Sequence, residues 1–335
     1  MHRQRGDDCG GGGSGSGPGR AGWAFGFSLF QGAGGRGPLA GWARVSESLR
    51  ALLQRRGLRL QRDRGQNFLT DAGLADQLAQ LAGVEEGDHV IEVGTGLGVL
   101  TRALGKRAER VTTVEIDSGL VKALEEEDLL PSNAELLHAD ALKLDWSELV
   151  ERAGPRVRVV ANLPYSAATP LLRIMIECRE SVQDWSVMIQ REVARRCVAR
   201  CGDDDYGSFA VLHALTVDAQ VQQELSPGSF FPAPKVHSSF LRVWPRRTPL
   251  LREGELAWVE RVVRAAFSKR RKTILNTLRG GGFVAREDRA ILEEALASAG
   301  ISPSSRAETV APERLLALAR ALREHTAKLE SADRE

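Results

Sequence analysis

Short apolar runs alternate with amphipathic stretches along the middle of the chain. The runs His89–Val93, Val111–Ile116, Ala134–His138, Arg156–Ala161 and Ser186–Ile189 read as strands. The first four recur about 22 residues apart. Between them lie the helix-like segments Leu97–Lys106, Ser118–Glu127 and Ala141–Glu151. Regular alternation of this kind predicts an α/β fold, a doubly wound, Rossmann-like parallel sheet. The spacing is a strand–helix rhythm, with no repeat of the sequence itself.

The pattern changes on both sides of this block. Near Pro227–Pro234 Gly and Pro punctuate the chain, and a strand Phe240–Trp244 ends at Pro245. Beyond it, Trp258–Leu278, Arg286–Ala299 and Pro312–Leu329 read as helices, predicting a small C-terminal helical domain. At the other end, residues 1–45 hold 15 of the 34 glycines, too few apolar groups to bury a core, and are expected to be disordered. Leu49, Leu52, Leu53 and Leu60 place a basic helix over Val45–Arg64. The predicted organisation is an extension at 1–45, an α/β domain at 46–235 and a helical domain at 236–330.

Charge sharpens this picture. The whole chain carries +2, yet residues 1–65 hold 11 Lys/Arg against 4 Asp/Glu, and residues 230–290 hold 14 against 5. A basic segment beside an acidic body suits a polyanionic partner. No run of 18 apolar residues occurs, so no membrane span is expected. The four cysteines make no disulfide framework in a chain of 335 residues. Cys197 and Cys201 lie four apart without a complementary pair, so no metal site is expected, and the default compartment is reducing.

Two motifs carry the chemistry. Glu92-Val93-Gly94-Thr95-Gly96-Leu97-Gly98 closes the first strand with a glycine turn, which lets backbone approach a ligand closely. Such a turn fits nicotinamide enzymes and methyltransferases alike. Acids then end three successive strands: Glu92, Glu115 and Asp140. Glu115 is placed to accept ribose hydroxyls and Asp140 to accept from an adenine amino group, around the point where such sheets bind ligands. The second motif, Asn162-Leu163-Pro164-Tyr165, follows the apolar strand Val157–Ala161. An exocyclic adenine amine is a poor nucleophile because its lone pair delocalises into the ring. The Asn162 amide oxygen and a main-chain carbonyl can hold that NH2, Pro164 stiffens the turn, and Tyr165 offers a face for stacking. Methyl transfer to an exocyclic nitrogen is the chemistry this pair of motifs suits.

With these motifs in order, residues 60–325 resemble the ribosomal RNA adenine N6,N6-dimethyltransferases, the kasugamycin-sensitivity family. Besides the two motifs above, the resemblance rests on Gly65-Gln66-Asn67-Phe68-Leu69, Glu115-Ile116-Asp117, His138-Ala139-Asp140-Ala141 and Gln190-Arg191-Glu192-Val193. Tyr206-Gly207, Phe230–Val236 and Phe267–Leu278 complete the set. It implies S-adenosyl-L-methionine as methyl donor, with Asn67 and Leu69 covering it and Gly94 and Gly96 at its amino acid end. It places Glu115 on the ribose, Asp140 and the Ala141 backbone on the adenine, and Asn162 between donor and target amine. Phe230 or Phe231 would face Tyr165 across a flipped base.

The implied substrate is small-subunit rRNA in a pre-30S-type particle, dimethylated at two adjacent adenines of a hairpin loop near the 3' end. A cytoplasmic monomer is expected. Were residues 1–45 a targeting peptide, the site would be mitochondrial or plastid, but their glycine excess and Asp7-Asp8 argue against it. Two alternatives share the fold: a large-subunit rRNA methylase of the antibiotic-resistance type, and a non-catalytic mitochondrial transcription or assembly factor. The intact Asn162–Tyr165 corner weighs against lost catalysis.

Three local features bear on RNA contact. The run Lys269-Arg270-Arg271-Lys272 suits phosphates, although Arg271 would fall on an apolar stripe unless it snorkels or the helix breaks. Ser166-Ala167-Ala168 replaces the bulkier or polar residues usual in the family. The loop Cys201–Asp205 carries three acids, Asp203, Asp204 and Asp205, that would repel phosphate.

Overall fold

The computed structural model describes Arg55, residues 66–283 and residues 289–332, with side chains to residue 326. The expected extension at 1–45 and, Arg55 apart, the helix at Val45–Arg64 lie outside the described residues. The amino-terminal half contains β1 (Phe68–Leu69), α1 (Ala72–Leu81), β2 (His89–Val93), α2 (Val99–Gly105), β3 (Arg110–Glu115), α3 (Ser118–Glu126), β4 (Ala134–His138), α4 (Trp146–Ala153) and β5 (Val157–Asn162). There follow α5 (Ala168–Glu177), β6 (Asp184–Gln190), α6 (Arg191–Val198), α7 (Ser208–Thr216), β7 (Val217–Leu225), β8 (Phe230–Phe231) and β9 (Ser238–Pro245). The last helices are α8 (Leu256–Ala266), α9 (Ile274–Leu278), α10 (Arg289–Ser298) and α11 (Pro312–Ala332).

The apolar runs become one seven-stranded sheet in the order β4-β3-β2-β5-β6-β9-β7. Strands β2 to β6 are parallel, and β9 and β7 add antiparallel to the β6 edge. Chain order reverses between β2 and β5, the crevice where open α/β sheets take ligands. Both faces are covered, which is why the strands read as continuous apolar runs. Val90, Val111, Val160, Met188 and Phe240 pack on one face with α1 and α2. Ile91, Val114, Val159, Val187 and Leu241 pack on the other with α4 and α5.

Two expectations need correction, and one strand was not expected. Strand β9, expected in the helical domain at 236–330, sits inside the sheet between β6 and β7, so the sheet continues past residue 235. Strand β7 had no apolar run to reveal it: as an edge strand it is mostly half-exposed and carries three glutamines. The helix expected over Trp258–Leu278 is two helices. The chain leaves α8 at Phe267 and re-enters at α9, with Lys269, Arg270, Arg271 and Lys272 all exposed on the turn between. Breaking the helix spares Arg271 a place on the apolar stripe.

The helices after the sheet enclose a core of their own, including Val259, Val262, Val263, Leu278, Leu296, Leu315, Leu318 and Leu322. Ala210, Val211 and Leu215 of α7 belong to this cluster, so α7 ties it to the chain before β7. No helix among the described residues is long and apolar enough to cross a membrane.

At the amino ends of the central strands the core is ionic. Asp88, fully buried, accepts from the Glu85 N–H at 2.9 Å and from Arg156 at 2.8 Å and Arg158 at 2.7 Å. Arg158 also meets Asp184, and Arg242 of β9 donates to the same carboxylate at 2.6 Å. Burial alone would raise the Asp88 pKa, but the Glu85 N–H and the two guanidiniums hold it below the ordinary range. The network joins β2, β5, β6 and β9 at the end of the sheet away from the glycine turn. Asp184→Ala would leave Arg158 and Arg242 without that carboxylate and is expected to destabilise the fold by about 3–5 kcal/mol. Urea unfolding would show a lower midpoint at unchanged slope. A wild-type midpoint would show that the network does not hold these strands.

Candidate active site

The glycine turn is built by alternating backbone signs. Gly94, Gly96 and Gly98 all have positive φ (83°, 58° and 72°), a region that residues with a Cβ seldom enter. The space is also closed to side chains. A Cβ on Gly94 would stand 3.2 Å from the Asn162 carbonyl oxygen, and one on Gly96 would stand 2.8 Å from the Phe68 ring. The turn is hung on β3 through Gly94 N–H to the Val114 carbonyl, 2.9 Å.

Beneath the turn lies Glu92, fully buried. Thr101 and Thr113 hydroxyls each donate to its Oε2 at 2.6 Å, and the Thr95 hydroxyl lies 2.6 Å from that of Thr113. Glu92 therefore supports the turn from behind and does not line the cleft, contrary to its expected place beside the ligand. Burial pushes its carboxyl up to about 8 against the pull of the two hydroxyls.

Glu115 does face the cleft. Its Oε2 accepts from Gly96 N–H at 2.9 Å, and its Oε1 accepts from Ile116 and Asp117 N–H at 3.0 Å each. These bonds fix the carboxylate and leave Oε2 an acceptor site for a ribose hydroxyl, while burial raises its pKa. The large apolar side chains of Ile116 and Leu142 are nearly half exposed, and both line the cleft beside Glu115 and Asp140. Two apolar walls with a carboxylate between them suit a nucleoside.

The second motif forms the opposite wall. Asn162 ends β5 paired with Met188 of β6, and the Leu163 N–H donates to the Met188 carbonyl at 3.2 Å. The chain then turns, with Ala167 N–H on the Pro164 carbonyl at 2.9 Å. The Asn162 Nδ2 donates to the Asn67 carbonyl at 2.7 Å. Only the amide nitrogen can make that bond, so Oδ1 is left as an acceptor on a residue that lines the cleft. Tyr165 is half-buried, its hydroxyl 2.8 Å from Ser238 Oγ.

The segment 66–69 closes the site from above. Gln66 Nε2 reaches Asp117 Oδ2 at 3.3 Å, Asn67 meets Asn162, and β1 pairs antiparallel with β8. The cleft so enclosed has a volume of about 330 Å³. Of the expected residues it brings together Asn67, Gly94, Gly96, Glu115, Asp140, Ala141, Asn162, Leu163, Pro164 and Tyr165.

Leu69 is not among them. Side chains alternate along β1, so Phe68 faces the cleft and Leu69 packs into the core with Leu78 and Val90. Phe230, opposite Leu69, is buried in the same cluster and cannot stack on a base from there; Phe231, opposite Phe68, is half-exposed. Phe68, Ile116, Leu142 and Ala167 also line the cleft, beyond the residues expected there. The signal for Ile116 and Leu142 was their position, directly after Glu115 and Ala141.

The basic turn lies elsewhere. Lys269, Arg270 and Lys272 line a second cleft together with Asp204, Asp205 and Glu308. Arg270 donates to the Asp204 carbonyl at 3.2 Å and lies 3.5 Å from the Glu308 carboxylate. The acidic loop thus lines the same cleft as the basic turn, and the carboxylate paired with Arg270 is that of Glu308.

Glu92 gives this site a pH signature. Its carboxyl titrates near the ordinary 4.5 when unfolded and about 8 when folded. Between those values the folded chain holds more protons, so stability falls as pH rises through the window, by an amount on the order of a few kcal/mol. Glu92→Gln is expected to remove that part of the fall, measured as urea midpoints near pH 6 and pH 9. An equal fall in the variant would show that Glu92 is not its source.

A family model described as ribosomal RNA adenine dimethylase matches residues 57–322. Ribosomal RNA small subunit methyltransferase A of Moorella thermoacetica is 40% identical over 279 residues, covering 81% of this chain and 96% of the relative. The protein of that name from Anaeromyxobacter sp. strain K is 40% identical over 283 residues, covering 82% and 98%. Among solved structures, the 23S rRNA methyltransferase ErmE aligns with a TM-score of 0.54 at 28% identity, over 77% of this chain and all of that one. A dimethyladenosine transferase from Plasmodium falciparum shares the fold, with a TM-score of 0.63 at 24% identity over 75% and 95%.

Proposed function

The chain belongs to the ribosomal RNA adenine dimethylase family, and on that premise we propose that it transfers methyl groups from S-adenosylmethionine to N6 of adenines in small-subunit rRNA. The observation that carries this reading is the Asn162 amide, held through Nδ2 by the Asn67 carbonyl so that Oδ1 is left as an acceptor on the wall of a nucleoside-sized cleft.

The cofactor fits these residues. Gly94 and Gly96 leave room for its amino acid end, Glu115 takes the ribose hydroxyls, and Asp140 with the Ala141 backbone takes the adenine between Ile116 and Leu142. Bound there, S-adenosylmethionine supplies a methyl group on a positively charged sulfur. Asn162 Oδ1 accepts from the target amine. The Leu163 carbonyl, next to Asn162 in the corner, is the candidate for the second acceptor. Tyr165 stacks on one face of the flipped base, with Phe231 as the candidate for the other. The Tyr165 phenol, its pKa raised by burial, stays neutral and is no base. No strong base is required, since the amine becomes acidic as it is methylated and loses its proton to solvent.

The finer reading is two adjacent adenines in a hairpin loop near the 3' end, in a pre-30S-type particle, with the protein acting as a cytoplasmic monomer. Four transfers are then needed, and the small Ser166 and Ala167 beside the cleft leave room for an amine that already carries a methyl. Lys269, Arg270, Arg271 and Lys272 would hold phosphates, positioning RNA without reading its sequence. The 40% identity to small-subunit enzymes, against 28% to the large-subunit enzyme, favours the small subunit.

Incubating the protein with undermethylated 30S particles, free rRNA and labelled cofactor is expected to give N6,N6-dimethyladenosine in small-subunit rRNA. Asn162→Ala is expected to lower the rate at least about 10²-fold, the scale of one lost transition-state hydrogen bond, while cofactor binding persists. Full activity in that variant would overturn the role of Asn162.

A further inference from the structure

The hydrogen bond between Tyr165 and Ser238 joins two parts of the chain that the reaction chemistry does not by itself require to meet. Ser238 begins β9 and is 1% exposed. Its position is set from both sides, opposite Gln190 of β6 and Leu225 of β7. Tyr165 starts from the corner after β5. Since β6 lies between β5 and β9, the ring reaches across the carboxyl end of β6 to make the bond.

The ring is thereby held at both ends. Its backbone is held by the turn that Ala167 closes on Pro164, and its hydroxyl is held by a residue of the inner sheet. A tyrosine has two side-chain torsions, and without the distal bond the ring is free to rock about both. One neutral hydrogen bond adds little to the stability of a seven-stranded sheet. It does decide where a half-buried ring stands. The cleft beside it is lined by the small Ser166 and Ala167, which provide no bulky side chain to hold the ring in place.

We propose that Ser238 is a positioning residue that, by holding the Tyr165 ring, keeps the base slot at the width the second methyl transfer to one amine requires. This rests on the dimethylation reading above. The first transfer meets a bare NH2 and tolerates a ring that rocks. The second meets an amine that already carries a methyl group, which must be turned away from the reacting side. A ring that leans into the slot blocks that orientation before it blocks the first.

The test measures N6-methyladenosine and N6,N6-dimethyladenosine separately, at fixed time, on undermethylated 30S particles. Ser238→Ala is expected to raise the ratio of mono- to dimethylated product roughly tenfold, a difference of about 1.4 kcal/mol between the two barriers, with KM for S-adenosylmethionine unchanged. Tyr165→Phe, which removes the same bond while changing no sheet residue, is expected to do the same. The double variant should be no worse than either single one, because both remove the same bond. Ser238→Thr is expected to restore the wild-type ratio. A wild-type ratio in both Ser238→Ala and Tyr165→Phe overturns the proposal, as does an equal loss of both transfers accompanied by a lower melting temperature. Absence of methyladenosine with the wild-type protein would instead overturn the reading on which the proposal rests.

Discussion

Gly94 has no side chain, and the Asn162 carbonyl oxygen stands 3.2 Å from where one would begin. The cleft depends on that approach. It lets the ends of β2 and β5, neighbours in the sheet but far apart in the chain, form the two walls of one space. Backbone at β2 gives a floor without side chains, and β5 gives an oriented amide. A methyl group at residue 94 would push the two ends apart while also demanding a left-handed backbone from a residue with a Cβ. The turn is supported from behind by a hydrogen-bonded chain of three threonines and Glu92. The polar atoms of the site therefore start from fixed positions.

The sheet concentrates its order at both ends. At the amino ends of its strands Asp88, Arg158, Asp184 and Arg242 make an ionic clasp, and at the carboxyl ends the strands open into the cleft. Isolated buried charges would be costly, yet here each carboxylate answers more than one guanidinium. The apolar layers between the two ends transmit the register from one to the other.

Much of this was legible in the residues, and for a physical reason. Strands covered on both faces are mostly apolar, so the fully buried β2 appears at its observed bounds; the half-exposed edge strand β4 does too, through its short run of Leu136 and Leu137. Glycines in a strand-to-helix turn and acids at strand ends mark a ligand crevice whatever the ligand is. The edge strand β7 was not legible, since a half-exposed strand that alternates Gln with small apolar residues resembles a loop. The side-chain direction at β1 and β8 was also hidden. Two-residue strands show no period, so Leu69 could not be told from Phe68, nor Phe230 from Phe231, until their pairing was known. Glu92 stood where a ligand-binding acid would stand, and burial behind the turn is a tertiary property. The break at Lys269–Lys272 was foreshadowed by a charge on an apolar stripe.

The segment Gln66–Leu69 lies over the cleft, and its pairing to β8 spans two residues on each strand. Were it to lift for exchange of a bound molecule, its hydrogen bonds to the cleft walls would part together. Lifting it also withdraws the Asn67 carbonyl, and the Asn162 amide is then free to rotate. A protein open to solvent is for that reason unready to react, and readiness returns when the flap seats again. Loading and alignment would then be two outcomes of one movement.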